Sequence, residues 1–301
     1  MSCPRRIDLV DPTHEDVLGR VRTRLDPEAV DVLCATSGDG RDARPTLESH
    51  GTYLFAVVLF PSRLDRADRV VYHELDVVAT PDVLVTVRKS GSDGGVADLA
   101  ALDAAEPSLP TGHLVHRIVD AAADSYLDLV DALYAEIDEL EDHVDELASA
   151  TLRQRLSQLR HEMLHARRNA SATRAAVRRV VDGRLDLGEN DALFPREAER
   201  AFAETYDTLV RAIEELDVAR DLVASVRDYL QSKIAENQSE VVKKLTMVAS
   251  LVLVPTLITG FYGQNFQGVF DSGFWTLGVS LALILASTLA QVAFFRWKRW
   301  L

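Results

Sequence analysis

Cysteine is nearly absent: Cys3 and Cys34 are the only two in 301 residues. They form no metal-ligand spacing with each other or with a histidine pair, and two thiols build no disulfide framework, as expected of a cytosolic domain. Basic charge is also short, since 33 Lys and Arg against 47 Asp and Glu leave a net charge of −14. That balance argues against nucleic acid and the anionic inner leaflet as partners, and favours cation attraction and solubility. The opening MSCPRRIDLVDPTHED is too polar for the apolar core of a signal peptide, so membrane insertion is expected to depend on another part of the chain. The most telling scarcity is of charge itself, because residues 245–270 carry no ionisable Asp, Glu, Lys, Arg or His at all.

Asp271 is the only charge before a second apolar run, residues 274–295, whose 22 residues exceed the roughly 20 that a helix needs to cross about 30 Å of hydrocarbon. Two membrane helices therefore close the chain. Between them GQNFQGVFDSG, residues 263–273, supplies glycines, Asn and Ser where a continuous helix would not persist. Lys243 and Lys244 precede the first span and Arg296, Lys298 and Arg299 follow the second, while the turn has no Lys or Arg. The positive-inside rule puts both ends in the cytosol and the turn outside. A hairpin of this kind could be a plain anchor.

A small and polar stripe argues for more. Ser239, Thr246, Ala249 or Ser250, Leu253, Thr256 and Gly260 recur at helical spacing along the first span. In lipid such a stripe should face other helices or a wet cavity. Two helices cannot enclose a cavity, so a pore implies several subunits about an axis. At the outer end, Gly263, Gln264 and Asn265 would set neutral amide oxygens at the mouth, where they can accept hydrogen bonds from the water shell of a small divalent cation.

These residues resemble the C-terminal signature of the CorA family of divalent-cation channels: an LT, a proline-bearing apolar run, YGMNF, a short outer loop, a second span and a basic tail ending in WL. Here the pattern stands as Leu245-Thr246, Pro255, Tyr262 to Phe266, and Trp300-Leu301 after Arg296 and Lys298. Gln264 replaces the family's methionine, and the outer loop keeps only Asp271 of the usual acidic segment. The resemblance implies a homopentamer in the cell inner membrane carrying Mg²⁺, with Co²⁺ or Ni²⁺ as further ions and proton-coupled Zn²⁺ transport as the alternative. It implies a pore lined by Ser239, Val242, Leu245, Thr246, Ala249, Leu253, Thr256 and Gly260, in which Leu245 and Leu253 form apolar constrictions. The tail Arg296, Lys298 and Arg299 becomes a basic collar. Counted back from Leu245-Thr246, Glu204 falls where the family keeps an aspartate of its cytosolic ion-sensing site. Asp31, in AVDVL, resembles the acidic residue that completes such a site with a regulatory Mg²⁺.

The rest of the chain divides into an α/β domain over residues 1–112, an antiparallel helical pair over 113–195 and a long helix over 196–262 that continues into the first span. The outer loop follows at 263–273, and residues 274–301 hold the second span and tail. TYLFAVVLF (52–60), RVVYHELDVV (69–78) and VLVTV (83–87) read as strands, and DPEAVDVL (26–33) as a short helix with a capping Asp and Pro at its first position. DLVDPTHED and SGSDGG read as loops.

Tyr126, Val130, Leu133, Ile137, Leu140, Val144 and Leu147 step by four and three, an a/d seam on a helix with eleven acidic side chains and no Lys or Arg between Ile118 and Leu152. The next helix repeats the stepping through Leu152, Leu156, Leu159, Met163, Ala166, Ala170, Thr173, Val177 and Val180, with nine arginines between Arg153 and Arg184. Joined at Ser149-Ala150-Thr151, the two should fold back with flanking charges matched. This basic helix holds His161-Glu162-Met163-Leu164-His165, the zinc-peptidase pattern H-E-x-x-H. Met163 sits in the seam and Arg160, Arg167 and Arg168 crowd the histidines, so a coiled-coil surface accounts for the motif better than a membrane-anchored peptidase does. The chain reads as a transporter and not an enzyme.

Overall fold

A computed structural model describes residues 4–21, 25–36, 43–64, 68–105, 108–144, 149–185, 188, 193–263 and 273–300. The elements run β1 (Arg5–Val10), α1 (His14–Arg20), α2 (Pro27–Cys34), β2 (Thr46–Ser49), β3 (Leu54–Leu64), β4 (Val70–Ala79), β5 (Val83–Lys89), α3 (Ala100–Asp103), α4 (Thr111–Asp142), α5 (Ser149–Val181), α6 (Arg196–Gly263) and α7 (Gly273–Trp297). The chain divides into two compact units, Met1–Arg227 and Asp228–Leu301.

In the first unit the strands form one sheet in the order β1-β5-β4-β3-β2. β1 runs parallel to β5, and the other neighbours are antiparallel. Side chains alternate across a pleated strand, so each strand feeds two cores. Leu54, Ala56, Val58, Leu75, Val77, Ala79 and Leu84 face the long helices and pack with Leu114, Ile118, Ala122, Tyr126, Val177 and Phe202. Tyr53, Phe55, Val57, Val78, Val85 and Val87 face the other way, against Val17 of α1 and Ala29, Val30 and Leu33 of α2. The result is α1 and α2, then the sheet, then α4, α5 and the start of α6.

The heptad expectation holds at every described position. Tyr126, Leu133 and Leu140 are fully buried, and so are Leu152, Leu159, Ala166, Ala170 and Val177 on α5. Each fully buried Leu contributes about 1.5–3 kcal/mol relative to an exposed one. Arg155 pairs with Glu136 of α4 and with Asp68 at 2.9 Å. Farther along the pair, Ala170 and Val177 of α5 share a core with Tyr126 and Ala122 of α4. Contacts that fall on α4 as they climb on α5 make the two helices antiparallel. Arg167 instead reaches Asp217 of α6 at 2.8 Å, so the basic helix serves two neighbours.

Three local expectations are corrected. The reverse turn does not occupy Ser149-Ala150-Thr151, which are already helical in α5. DLVDPTHED is not a loop throughout: Asp8, Leu9 and Val10 end β1, and Thr13 begins a capping box in which its hydroxyl and the Asp16 carboxylate each satisfy the other's backbone N–H. Asp26 stands at the N-cap of α2, but its side chain makes no cap bond. It accepts from the Tyr53 hydroxyl at 3.0 Å and lies 3.0 Å from His50 Nδ1, tying α2 to the sheet.

In the second unit α6 stays helical through Pro255 to Gly263. Both α6 and α7 are long and apolar enough to cross a membrane. Their apolar surfaces are open in the single chain, as at Leu245, Leu253, Leu257 and Leu285.

Among the described glycines, Gly112 marks the tightest approach. A Cβ there would lie 1.9 Å from the carbonyl oxygen of Leu193, a backbone atom that cannot rotate away. Gly112→Ala should destabilise the protein by about 1–3 kcal/mol, as overpacking does. Denaturant unfolding of the purified variant checks this, and an unshifted midpoint would contradict the close packing of α4 on the 193–194 segment.

Candidate functional site

The proposed pore residues lie on the second half of α6 and its approach. Ser239, Val242, Thr246, Ala249, Leu253, Thr256 and Gly260 step by three and four, so the continuous helix carries them along one face. All seven are exposed in the single chain, as are Leu245 and Gly263. The threonine hydroxyls have a donor role already filled: Thr246 donates to the carbonyl of Val242 at 2.8 Å and Thr256 to that of Val252 at 2.7 Å. Each hydroxyl oxygen keeps acceptor capacity. Gly263 ends the helix, while Gln264 and Asn265 lie outside the described residues.

The tail continues from α7. Arg296 falls in its last turn, and the Lys298 ammonium stands over the Trp297 ring at 5.4 Å. Arg299 has a positive φ of 55°, and Trp300 folds back to stack on Phe295 with ring centroids 5.9 Å apart. One of the three cations of the tail, Lys298, is thus set against an aromatic ring.

The two proposed sensing carboxylates sit on the surface of the first unit. Thr205 explains why Glu204 points outward. The Thr205 hydroxyl is buried between α6 and α4, donating to Asp120 at 2.7 Å and standing 3.0 Å from His116 Nε2. One residue along a helix is a turn of about 100°, so burying Thr205 presents Glu204 to solvent. Burial holds His116 below the ordinary imidazole range, with Asp120 acting against it. Asp31 projects from α2, whose Val30 and Leu33 are buried on the sheet, and lies 3.0 Å from His14 Nε2. Among the described residues no hydrogen bond or ion pair joins Asp31 to Glu204, and no three His, Cys, Asp or Glu side chains gather to hold a metal ion.

The H-E-x-x-H segment has a structural role. Glu162 is fully buried and accepts from the Val70 backbone N–H at 3.2 Å and from Gln158 Nε2 at 2.7 Å. His165 packs edge-on to Tyr72 with centroids 5.4 Å apart, while His161 is exposed. A glutamate committed to the start of β4 is not poised to activate water at a surface metal.

Sequence patterning missed two polar clusters. Thr205, His116 and Asp120 come from helices whose sequence positions are far apart, with no motif to link them. Glu74, Asp76 and Lys89 form a second cluster inside the sheet, where Lys89 Nζ lies 2.6 Å from Glu74 Oε1 and 2.8 Å from Asp76 Oδ2.

A family model described as CorA-like Mg²⁺ transporter protein matches residues 7–299. The chain is 27% identical over 190 residues to the cobalt/magnesium transport protein CorA of Thermotoga maritima, covering 63% of this chain and 52% of that one. It thus spans about half the length of that curated relative. Among solved structures, the CorA magnesium transporter of Methanocaldococcus jannaschii matches with a TM-score of 0.78 at 19% identity, over 98% of this chain and 91% of that one. The ZntB cytoplasmic domain of Vibrio parahaemolyticus matches with a TM-score of 0.55 at 13% identity, over 77% and 89%. At these identities both structures speak to the fold alone.

Glu162→Ala should cost about 1–3 kcal/mol by stranding the Val70 N–H, whereas exposed His161→Ala should stay within about 0.5 kcal/mol of the parent. Unfolding midpoints check both, with bound zinc measured in parallel. Stoichiometric zinc lost in both variants would contradict the structural reading.

Proposed function

The chain belongs to the CorA-like Mg²⁺ transporter family, and from that premise we propose that it conducts a hydrated divalent cation across a membrane through a pore built by several copies. Mg²⁺ is the proposed ion, with Zn²⁺ the alternative. The observation that carries the reading is α6 itself. One helix runs from Arg196 to Gly263, presents Glu204 near its start, carries the small and polar stripe, and ends where the Gly263-Gln264-Asn265 signature begins.

The chemistry follows from the donors. Amide and hydroxyl oxygens hold a hydrated ion by its water shell, which suits a cation that dehydrates reluctantly. No Cys or His falls among the proposed lining residues, so the soft and imidazole ligands that favour zinc are missing from that set. Leu245 and Leu253 would act as apolar constrictions that open and close by wetting. Arg296, Lys298 and Arg299 would form a collar at the cytosolic side of the membrane, with both termini in the cytosol.

Five copies, the assembly implied by the family resemblance, would bring Asp31 of one chain toward Glu204 of the next. Mg²⁺ between two carboxylates holds them together, and its loss leaves like charges to repel. The exposure of both residues and their lack of a described partner in common within one chain support a site completed by a neighbour. A shift of α6 at Glu204 is then carried along the same helix that lines the pore.

Ion flux into vesicles holding the purified protein tests the reading, with Mg²⁺, Co²⁺, Ni²⁺ and Zn²⁺ compared and a proton gradient imposed or removed. Mg²⁺ uptake should follow the electrical gradient and fall at least tenfold in Asn265→Leu. Glu204→Lys, which sets an ammonium against Asp31 in place of a like charge, should shift the Mg²⁺ concentration at which conduction shuts off. Obligatory dependence on protons would favour zinc transport, and flux unaffected at Asn265 would overturn the proposed mouth.

A further inference from the structure

The face of the sheet beneath α1 and α2 is built largely of apolar side chains. Glu74 and Asp76 share the pleat face of Val78, which packs with Val17, Val30 and Leu33, and Lys89 shares that of Val85 and Val87. Glu74 stands directly across the ladder from Lys89, and Asp76 is two residues along β4. Asp76 is fully buried, Lys89 is 2% exposed and Glu74 is 5% exposed.

Two carboxylates against one ammonium leave a net charge of −1 when all three are ionised. Such a charge is costly away from water. Lys89 Nζ donates to Glu74 Oε1, and it approaches Asp76 Oδ2 without the alignment of a hydrogen bond. Neither oxygen of Asp76 has a well-aligned donor. One proton on Asp76 would neutralise the cluster and leave the Lys89–Glu74 pair intact.

We propose that Glu74, Asp76 and Lys89 form a proton-binding site that sets how firmly α1 and α2 sit on the sheet. With the proton bound, the cluster is neutral and the two helices stay closed over it. When the proton leaves for water, the uncompensated charge is relieved by admitting solvent beneath α1 and α2. The groups acting on Asp76 are Lys89 and Glu74. The charges of Lys89 and of exposed Asp16 of α1 and Asp31 of α2 also act on Cys34 of α2.

The sign follows from burial, which pushes the Asp76 carboxyl up to about 7, with Lys89 opposing and Glu74 adding to the rise. Although burial alone would lower Lys89, its two carboxylate neighbours hold its ammonium above the ordinary value. A carboxyl raised in the folded state binds its proton more tightly there than in an open one. The stability it contributes is therefore present at low pH and lost as pH rises through about 7. The seating of α1 and α2 thus loosens across neutrality. Because α2 carries Asp31, the ion concentration needed to close the channel should rise with cytosolic pH, a consequence that rests on the sensing role proposed for Asp31.

Hydrogen exchange by mass spectrometry on the full-length protein, read over residues 13–34 between pH 6 and 8 and corrected for intrinsic exchange, tests the site. Wild type should lose about tenfold in corrected protection across that range, the change expected for a group titrating near 7. Asp76→Asn should abolish the dependence. Glu74→Gln, which leaves Asp76 and Lys89 as a neutral pair, should move it below pH 6 and decides the question if Asp76→Asn does not fold. Corrected protection equal at pH 6 and 8 in wild type, or the same dependence kept in either variant, would overturn the proposal. A closing threshold that stays fixed while protection changes would retire the sensing role of Asp31 and leave the proton site standing.

Discussion

A backbone amide in hydrocarbon has no water to turn to, and the membrane half of this protein is built around that constraint. A helix satisfies its own N–H and C=O groups, so α6 can leave an aqueous domain and enter lipid without breaking. Pro255 lies inside that helix and does not end it. The same requirement explains the threonines, whose hydroxyls donate to carbonyls one turn back at Thr246, Thr256 and Thr259. With the backbone satisfied, only side chains distinguish one face of α6 from another. The small and polar face is the one proposed to meet other copies or water.

The first unit solves a different problem, that of burying two faces of a sheet and a long helical seam at once. Period-two alternation in β3 and β4 sends residues to separate cores, and period-3.5 stepping closes α4 on α5. Polar groups enter these cores only with partners or at a cost. Glu162 secures the start of β4, Thr205 fixes the rotation of α6, and Asp26 ties α2 to Tyr53. Asp76 carries such a cost, as a carboxylate inside the sheet with one cation shared between two acids.

What could be read from sequence follows the range of the interactions involved. The membrane helices and the heptad seams are local patterns of many residues, and their positions in the structure agree with the patterning. The central strands were legible for the same reason. β1 was not, because RRIDLV buries little beyond Leu9 and owes its strand to pairing with β5 some 78 residues away in the chain. α1 carried a legible signal in Thr13-His14-Glu15-Asp16, a capping pattern obscured by the surrounding polarity. The proposed ion path was legible through a signature of a few residues. The Thr205 and Asp76 clusters were not, since each joins side chains that only the tertiary fold brings together.

The central claim is that one face of α6 borders a wet conduit, and water-borne thiol reagents report on that directly. Cysteine introduced singly from Ser239 to Gly260, in a background with Cys3 and Cys34 replaced by serine, would be assayed in lipid vesicles. The account predicts labelling at 239, 242, 245, 246, 249, 253, 256 and 260, falling at the positions between and slowed by the transported ion. Labelling without helical periodicity, or confined to the opposite face, would contradict it.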